Sequence, residues 1–218
     1  MPVSDSSRAV ADTLDAGLAS LDLAATPDQR SALLAYLDLL QRWNKAYNLT
    51  AVRNPQDMVR RHLLDSLSVL SLLPAAAERL VDVGSGGGLP GVPLAIMCPD
   101  RSFELVDGNG KKARFLFQVK TELGLANMAS RHARAEAWQP GDGFDVVLSR
   151  AFASLADMVS CCAHLVRPDG VLLAMKGQYP AEEIEALGDT VDVAAVHRLE
   201  VPGLPEARHV VELKLKAG

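Results

Sequence analysis

The chain has 218 residues, enough for one domain with a sizeable core. Hydrophobic residues make up 49% and charged residues 22%, which excludes a disordered chain, and no apolar run approaches the roughly 20 residues of a membrane helix. A net charge of −5 argues against a protein that coats nucleic acid nonspecifically, though not against an enzyme with one local basic patch.

Asp5, Asp12, Asp15 and Asp22 interrupt the first 25 residues. A secretory signal has a basic start and an unbroken apolar stretch, so a cytoplasmic protein is expected, with no membrane partner. The three cysteines, Cys98, Cys161 and Cys162, are odd in number and two are adjacent, which suggests no disulfide framework. No Cys/His spacing suits zinc, so no metal is expected.

The first third reads as helix. Thr26, Pro27 and Gln29 form a helix start with a capping box. Leu33, Leu37, Leu40, Trp43 and Tyr47 then recur as one apolar stripe. A second start lies at Asn54 and Pro55, followed by an apolar face with His62, and Pro74 ends that helix. From about residue 79 short apolar runs alternate with helical stretches. Strands are expected at 79–83, 102–107, 128–132, 144–148, 171–176, 193–199 and 209–215. Helices are expected near 91–97, 111–123, 154–165 and 181–187. That alternation implies a mostly parallel sheet covered on both faces. The Pro- and Gly-rich connection 202–208 suggests that the last two strands run antiparallel.

The strongest local signal runs from Val81 to Gly91, Val-Asp-Val-Gly-Ser-Gly-Gly-Gly-Leu-Pro-Gly. An apolar strand enters a glycine-rich turn and a helix follows, which is where open α/β sheets bind nucleotides. Two readings stay open. Gly84, Gly86 and Gly88 fit the G-x-G-x-G loop of methyltransferases, and Gly86, Gly88 and Gly91 fit the G-x-G-x-x-G dinucleotide fingerprint. Asp107, at the end of the second strand, suits the ribose hydroxyls of S-adenosylmethionine or NAD. It could instead cap the helix starting near Gly110. The later segments favour methyl transfer. Ala135-Glu136 follows the third strand, where methyltransferases commonly place the residues beside adenine, and 165–172 (Leu-Val-Arg-Pro-Asp-Gly-Val-Leu) looks like the entry to the fifth strand of class I methyltransferases. A dehydrogenase of this size would lack room for a substrate domain.

Six segments then occur in order: Arg-Trp-Asn-Lys-Ala-Tyr-Asn-Leu-Thr-Ala-Val (42–52), Arg-His-Leu-Leu-Asp-Ser-Leu (61–67), the glycine loop with its Leu-Pro-Gly, Lys-Lys-Ala-Arg-Phe-Leu (111–116), Ser-Arg-Ala-Phe-Ala-Ser-Leu (149–155) and Met-Lys-Gly-Gln (175–178). Together they closely resemble the ribosomal RNA small-subunit methyltransferase G family, also called glucose-inhibited division protein B, over roughly 30–216. The resemblance implies an α/β fold of the class I S-adenosylmethionine-dependent methyltransferases: Rossmann-like, with a seven-stranded mostly parallel sheet and an N-terminal helical cap. The helical segment would span 1–75 and the cofactor-binding core 76–218. It implies methyl transfer from S-adenosylmethionine to nitrogen 7 of one guanine in 16S ribosomal RNA, the partner being that RNA or the small subunit; a monomer is expected.

The expected cofactor contacts are Gly84, Ser85, Gly86, Gly88, Leu89, Asp107, Ala135, Glu136 and Arg150. Arg150 also has a positioning role, and no general base is expected after strand four, where Ser149-Arg150-Ala151-Phe152 stands. Phe152 could stack on an extruded base or sit in the core. RNA contacts are expected from basic residues near the strands' carboxyl ends, above all Lys111, Arg134, Lys176 and Arg208, with Arg60, Arg61, Lys112, Arg114, Arg131 and His209 as further candidates. His62, Asp65 and Ser66 read as a hydrogen-bonded polar seam between cap and core. Three other functions stay open: a methyltransferase acting on another RNA or a small molecule and, more remotely, a nicotinamide-dependent oxidoreductase or a non-catalytic ribosome assembly factor.

Overall fold

The computed structural model describes residues 5–187 and 191–216. The outermost ends of both expected units therefore lie outside the described residues.

Helix α1 (Asp5–Ser20) buries Leu14, Gly17 and Leu18. Gly17 lets it approach closely, since a Cβ there would lie 2.2 Å from Leu64 Cδ1. Helix α2 (Pro27–Tyr47) starts on the expected capping box. The Gln29 amide N–H donates to Thr26 Oγ1 at 3.2 Å, and the Thr26 N–H donates to Gln29 Oε1 at 2.9 Å. Gln29 Nε2 also donates to the carbonyls of Ile96 (3.3 Å) and Met97 (3.2 Å), fastening this helix start to the core.

Asn54 caps α3 (Pro55–Met58) by accepting from the Asp57 N–H at 3.1 Å. The sequence suggests one regular helix from here to Pro74. The structure instead widens into a π-helical turn over Val59–Leu64, where the Asp65 N–H reaches back five residues to the Arg60 carbonyl. Helix α4 (Asp65–Leu67) and a 3-10 turn (Leu70–Leu72) follow. Apolar spacing does not distinguish such a turn from α-helix, and π turns concentrate at functional sites.

The sheet has seven strands: β1 (Arg79–Val83), β2 (Ser102–Asp107), β3 (Met128–His132), β4 (Phe144–Ser149), β5 (Val166–Lys176), β6 (Val191–Leu199) and β7 (Arg208–Leu215). Their order is β3-β2-β1-β4-β5-β7-β6. Only β7 runs against its neighbours, inserted between β5 and β6. Helices α5 (Gly91–Met97), α6 (Gly110–Leu123), α7 (Leu155–Cys162) and α8 (Ala181–Glu185) fill the connections.

Side chains alternate across the strands. Leu80, Leu105, Val146, Leu148 and Leu173 join one core cluster with α1, α2, α5, α6 and the π turn. Val81, Val106, Val147 and Leu172 join the other, with Leu155, Met158 and Cys162 of α7. Both faces are covered, which is why the strands read as short apolar runs. No helix among the described residues is long and apolar enough to cross a membrane.

Candidate functional site

The strand order reverses at β1, which has β2 on one side and β4 on the other. In open α/β sheets ligands bind outside the carboxyl ends at such a reversal. Ser149 staples the two strand ends: its Oγ donates to the Val83 carbonyl at 2.8 Å and accepts from the Ala151 N–H at 3.1 Å. The Gly84 N–H donates to Val106 O at 2.8 Å, so the loop begins locked to β2.

Gly84, Gly86 and Gly88 all have positive φ, at 71°, 58° and 88°. Their surroundings differ. A Cβ on Gly84 would meet Ala151 Cβ at 2.6 Å, and one on Gly88 would meet Val92 at 2.5 Å and Tyr36 Oη at 3.4 Å. Gly86 alone of the three has no heavy atom within 3.8 Å of that position, so it leaves space on the open side of the loop. Gly91 packs α5 onto β1, against Asp82 and Leu105. From α2, Tyr36 Oη donates to the Gly87 carbonyl at 2.5 Å. Tyr36 is fully buried and lies outside the stripe read from the sequence.

Asp107 binds the loop itself. Its Oδ2 accepts from the Gly86 N–H at 2.9 Å and its Oδ1 from the Asn109 N–H at 2.8 Å, with Lys112 Nζ 3.8 Å away. The cap of α6 is Asn109, which accepts from the Lys111 N–H at 2.9 Å. Asp107 is thus not the helix cap, and a carboxylate with about four acceptor sites retains capacity for hydroxyls.

Asp82 lies beneath the loop with no exposed surface. Its Oδ2 accepts from the Gly91 N–H at 2.9 Å, while Oδ1 has no partner among the described residues. Burial pushes its pKa up to about 6, against the opposing hydrogen bonds. An acid whose folded pKa exceeds its unfolded value favours folding most below about 4, and that contribution is lost as pH rises through 6. Asp82→Asn should therefore gain roughly 2 kcal/mol relative to the parent between pH 4 and pH 7. Denaturant melts at both pH values test this, and a pH-independent difference between the two proteins would refute it.

Two clefts meet beside the loop. The smaller, about 160 Å³, is lined by Leu49, Thr50, His62, the loop residues Gly84–Gly87, Leu89, Arg150 and Ala151. The larger, about 370 Å³, has apolar walls from Val52, Met175 and Leu199 and polar ones from Arg61, His62, Asp65, Arg150, Lys176, Arg208 and His209. His62 and Arg150 line both. Burial pushes the His62 pKa down to about 4, so it is neutral at pH 7. Its Nε2 pairs with Thr50 Oγ1 at 2.8 Å and its Nδ1 has no partner among the described residues.

Of the expected cofactor residues, Gly84, Ser85, Gly86, Leu89 and Arg150 line the smaller cleft. Gly88 faces inward, Ala135 is buried in the second core cluster, and Glu136 is exposed with Arg134 at 3.5 Å. Phe152 packs against that same cluster. Among the expected RNA contacts, Lys111 and Arg134 are exposed. Lys176 differs. Its ammonium meets Glu183 at 2.7 Å and the carbonyls of Phe152 (3.3 Å) and Ala153 (3.2 Å), which occupies all three of its hydrogens. It staples β5 to the loop after β4, and nothing local in the sequence links it to Glu183. The expected hydrogen-bonded seam does not form: Ser66 is buried with no partner for its Oγ among the described residues, His62 pairs with Thr50, and Asp65 faces the larger cleft, where it binds Arg150 and Arg208.

The fold recurs in solved structures. An S-adenosylmethionine-dependent methyltransferase from Aquifex aeolicus matches with a TM-score of 0.57 at 17% identity, covering 81% of this chain and 98% of that one. Another from Geobacter sulfurreducens, in complex with S-adenosyl-L-homocysteine, matches at 0.53 and 14% identity, covering 82% and 98%. The sequence match is much closer: the ribosomal RNA small subunit methyltransferase G of Stutzerimonas stutzeri is 51% identical over 208 residues, covering 95% of this chain and 97% of that protein. The family described as GidB, rRNA small subunit methyltransferase G, matches residues 29–211. With that match running from α2 into β7 and a relative 51% identical over 95% of the chain, the chain belongs to the rRNA small subunit methyltransferase G family.

Proposed function

We propose that this protein transfers a methyl group from S-adenosylmethionine to nitrogen 7 of one guanine in 16S ribosomal RNA. The observation that carries this reading is the junction of the two clefts at Arg150 and His62. One side is a glycine loop suited to a nucleotide-like cofactor, and the other is a pocket with three arginines. The residues fit the cofactor. Gly86 leaves room on the loop, and Asp107 has lone pairs for ribose hydroxyls. When bound, S-adenosylmethionine supplies an electrophilic methyl group on a sulfonium.

The chain's own work is then placement. Guanine nitrogen 7 has a free lone pair at neutral pH, so no residue needs to remove a proton. The Ser149 hydroxyl at the end of β4 already donates its proton to Val83 and accepts from Ala151. Arg150 stands at the junction and helps fix the RNA against the cofactor, and enforced near-attack geometry can be worth about 7–11 kcal/mol. Lys111, Arg134 and Arg208 face the RNA, and the 1–75 segment acts as a cap on the 76–218 core, a reading supported by the links from α2 to the loop.

The test mixes the protein with methyl-labelled S-adenosylmethionine and small subunits from cells lacking this activity. Cleavage specific for 7-methylguanosine then maps the label. Cleavage at one guanine is the expected result. Label on another base would discard the nitrogen 7 target, and cofactor binding without label would favour a non-catalytic assembly role.

A further inference from the structure

Asp65 stands where three elements meet. It follows the π turn directly, and its side chain is 3% exposed. Its Oδ2 accepts from Arg150 Nη1 at 2.8 Å, from the end of β4. Its Oδ1 accepts from Arg208 Nε at 2.9 Å, from the start of β7. The other lysine and arginine side chains lining the larger cleft each have a carboxylate of their own: Arg61 has Glu206 at 2.5 Å and Lys176 has Glu183 at 2.7 Å. Asp65 is shared. Two guanidiniums and one carboxylate leave a surplus of one positive charge at this node.

The node also has spare donors. Among the described residues, no acceptor takes the Nε and Nη2 hydrogens of Arg150 or the Nη2 hydrogens of Arg208. A guanidinium is a planar fork suited to two oxygens of one anion, and it is more weakly hydrated than an ammonium. Each fork is anchored at one edge by Asp65 and open at another. Without the carboxylate, two like charges on separate elements would repel each other across the cleft.

We propose that Asp65 is a positioning residue that holds Arg150 and Arg208 as one two-pronged receptor for a backbone phosphate of the RNA. The surplus charge matches a phosphodiester's single negative charge, and its two free oxygens match two forks. This rests on reading the larger cleft as the RNA site.

The sign of one effect separates this role from bulk charge. Asp65→Asn removes a negative charge from a cleft that binds a polyanion, so simple electrostatics demands tighter RNA binding. Positioning demands weaker binding, because the Asn side chain turns an amide donor toward a guanidinium.

Binding of the full chain to small subunits, titrated across salt concentration, reads the difference. Asp65→Asn and Arg208→Gln should each weaken binding about tenfold or more and flatten the slope of log affinity against log salt by about one. The double variant should be no weaker than the worse single one within about threefold, as for residues acting as one unit. Tighter binding by the Asn variant, additive losses, or an unchanged salt slope with only a lowered Tm would each overturn the proposal. Should the Asn variant not fold, Arg208→Lys carries the test, since it keeps the charge and removes the fork; wild-type affinity there would overturn it. Failure of the parent protein to methylate any subunit would refute the functional reading instead.

Discussion

Replacing Arg150 by Ala is expected to lower kcat/KM for RNA methylation by a factor of about 100 or more. Arg150 is one of two residues lining both clefts, so its loss touches the junction proposed as the meeting point of cofactor and base. The protein should still fold. Truncating one partner of a fully buried ion pair costs about 3–5 kcal/mol, because the other charge is stranded. Here Asp65 retains Arg208 at 2.9 Å, and the Arg150 side chain is 31% exposed, so a loss of about 1–2 kcal/mol is expected. Steady-state kinetics beside a thermal melt separates the two effects. Turnover within a few-fold of the parent would remove Arg150 from the reaction and leave it a structural ion pair.

The second large effect is expected at Gly84. Its φ of 71° is costly for a residue with a Cβ, by about 1–2 kcal/mol. A methyl group there would also lie 2.6 Å from Ala151 Cβ, and overpacking of this kind adds about 1–3 kcal/mol. Gly84→Ala should therefore lose roughly 2–5 kcal/mol of stability and, because the loop must shift to fit, nearly all affinity for S-adenosylmethionine. Adding Ala151→Gly separates the causes. It removes the clash and leaves the backbone strain, so the pair should recover the overpacking share of the stability and much of the binding. Calorimetric titration of both variants checks this. Recovery of neither property in the pair would mean that the strain at φ 71° alone carries the effect.

Much of this architecture can be read from the chain. A parallel sheet buried on both faces writes its central strands as apolar runs closed by glycine, proline or a polar turn, and β1 and β2, like the partly exposed edge strand β3, fall on the expected bounds. β5 begins five residues early, at Val166 instead of Val171. Its pairing with β4 shifts between Phe144 and Val146, and Arg167-Pro168-Asp169-Gly170 bulges out, so the run looks broken. Gly170 fits there because a Cβ would lie 2.8 Å from the Phe144 carbonyl. The glycine loop and Asp107 were legible because their chemistry is local. In the sequence Asp65 reads only as part of a polar seam and Lys176 only as an RNA contact, and neither shows as a member of an ion pair. Their partners Arg150, Arg208 and Glu183 come from other elements, and no local periodicity encodes a pairing across the fold.

The hydrogen bond from Tyr36 to the Gly87 carbonyl, with Leu40 and Leu49 packed beneath the same glycine, makes α2 the floor of the loop. Unfolding of the N-terminal third and release of a loop-bound ligand are then one linked equilibrium. A ligand that holds the loop in place must slow amide hydrogen exchange along α2, well away from any atom it touches. The tie between α2 and the glycine loop thereby couples the stability of the N-terminal helices to the affinity for a loop-bound ligand.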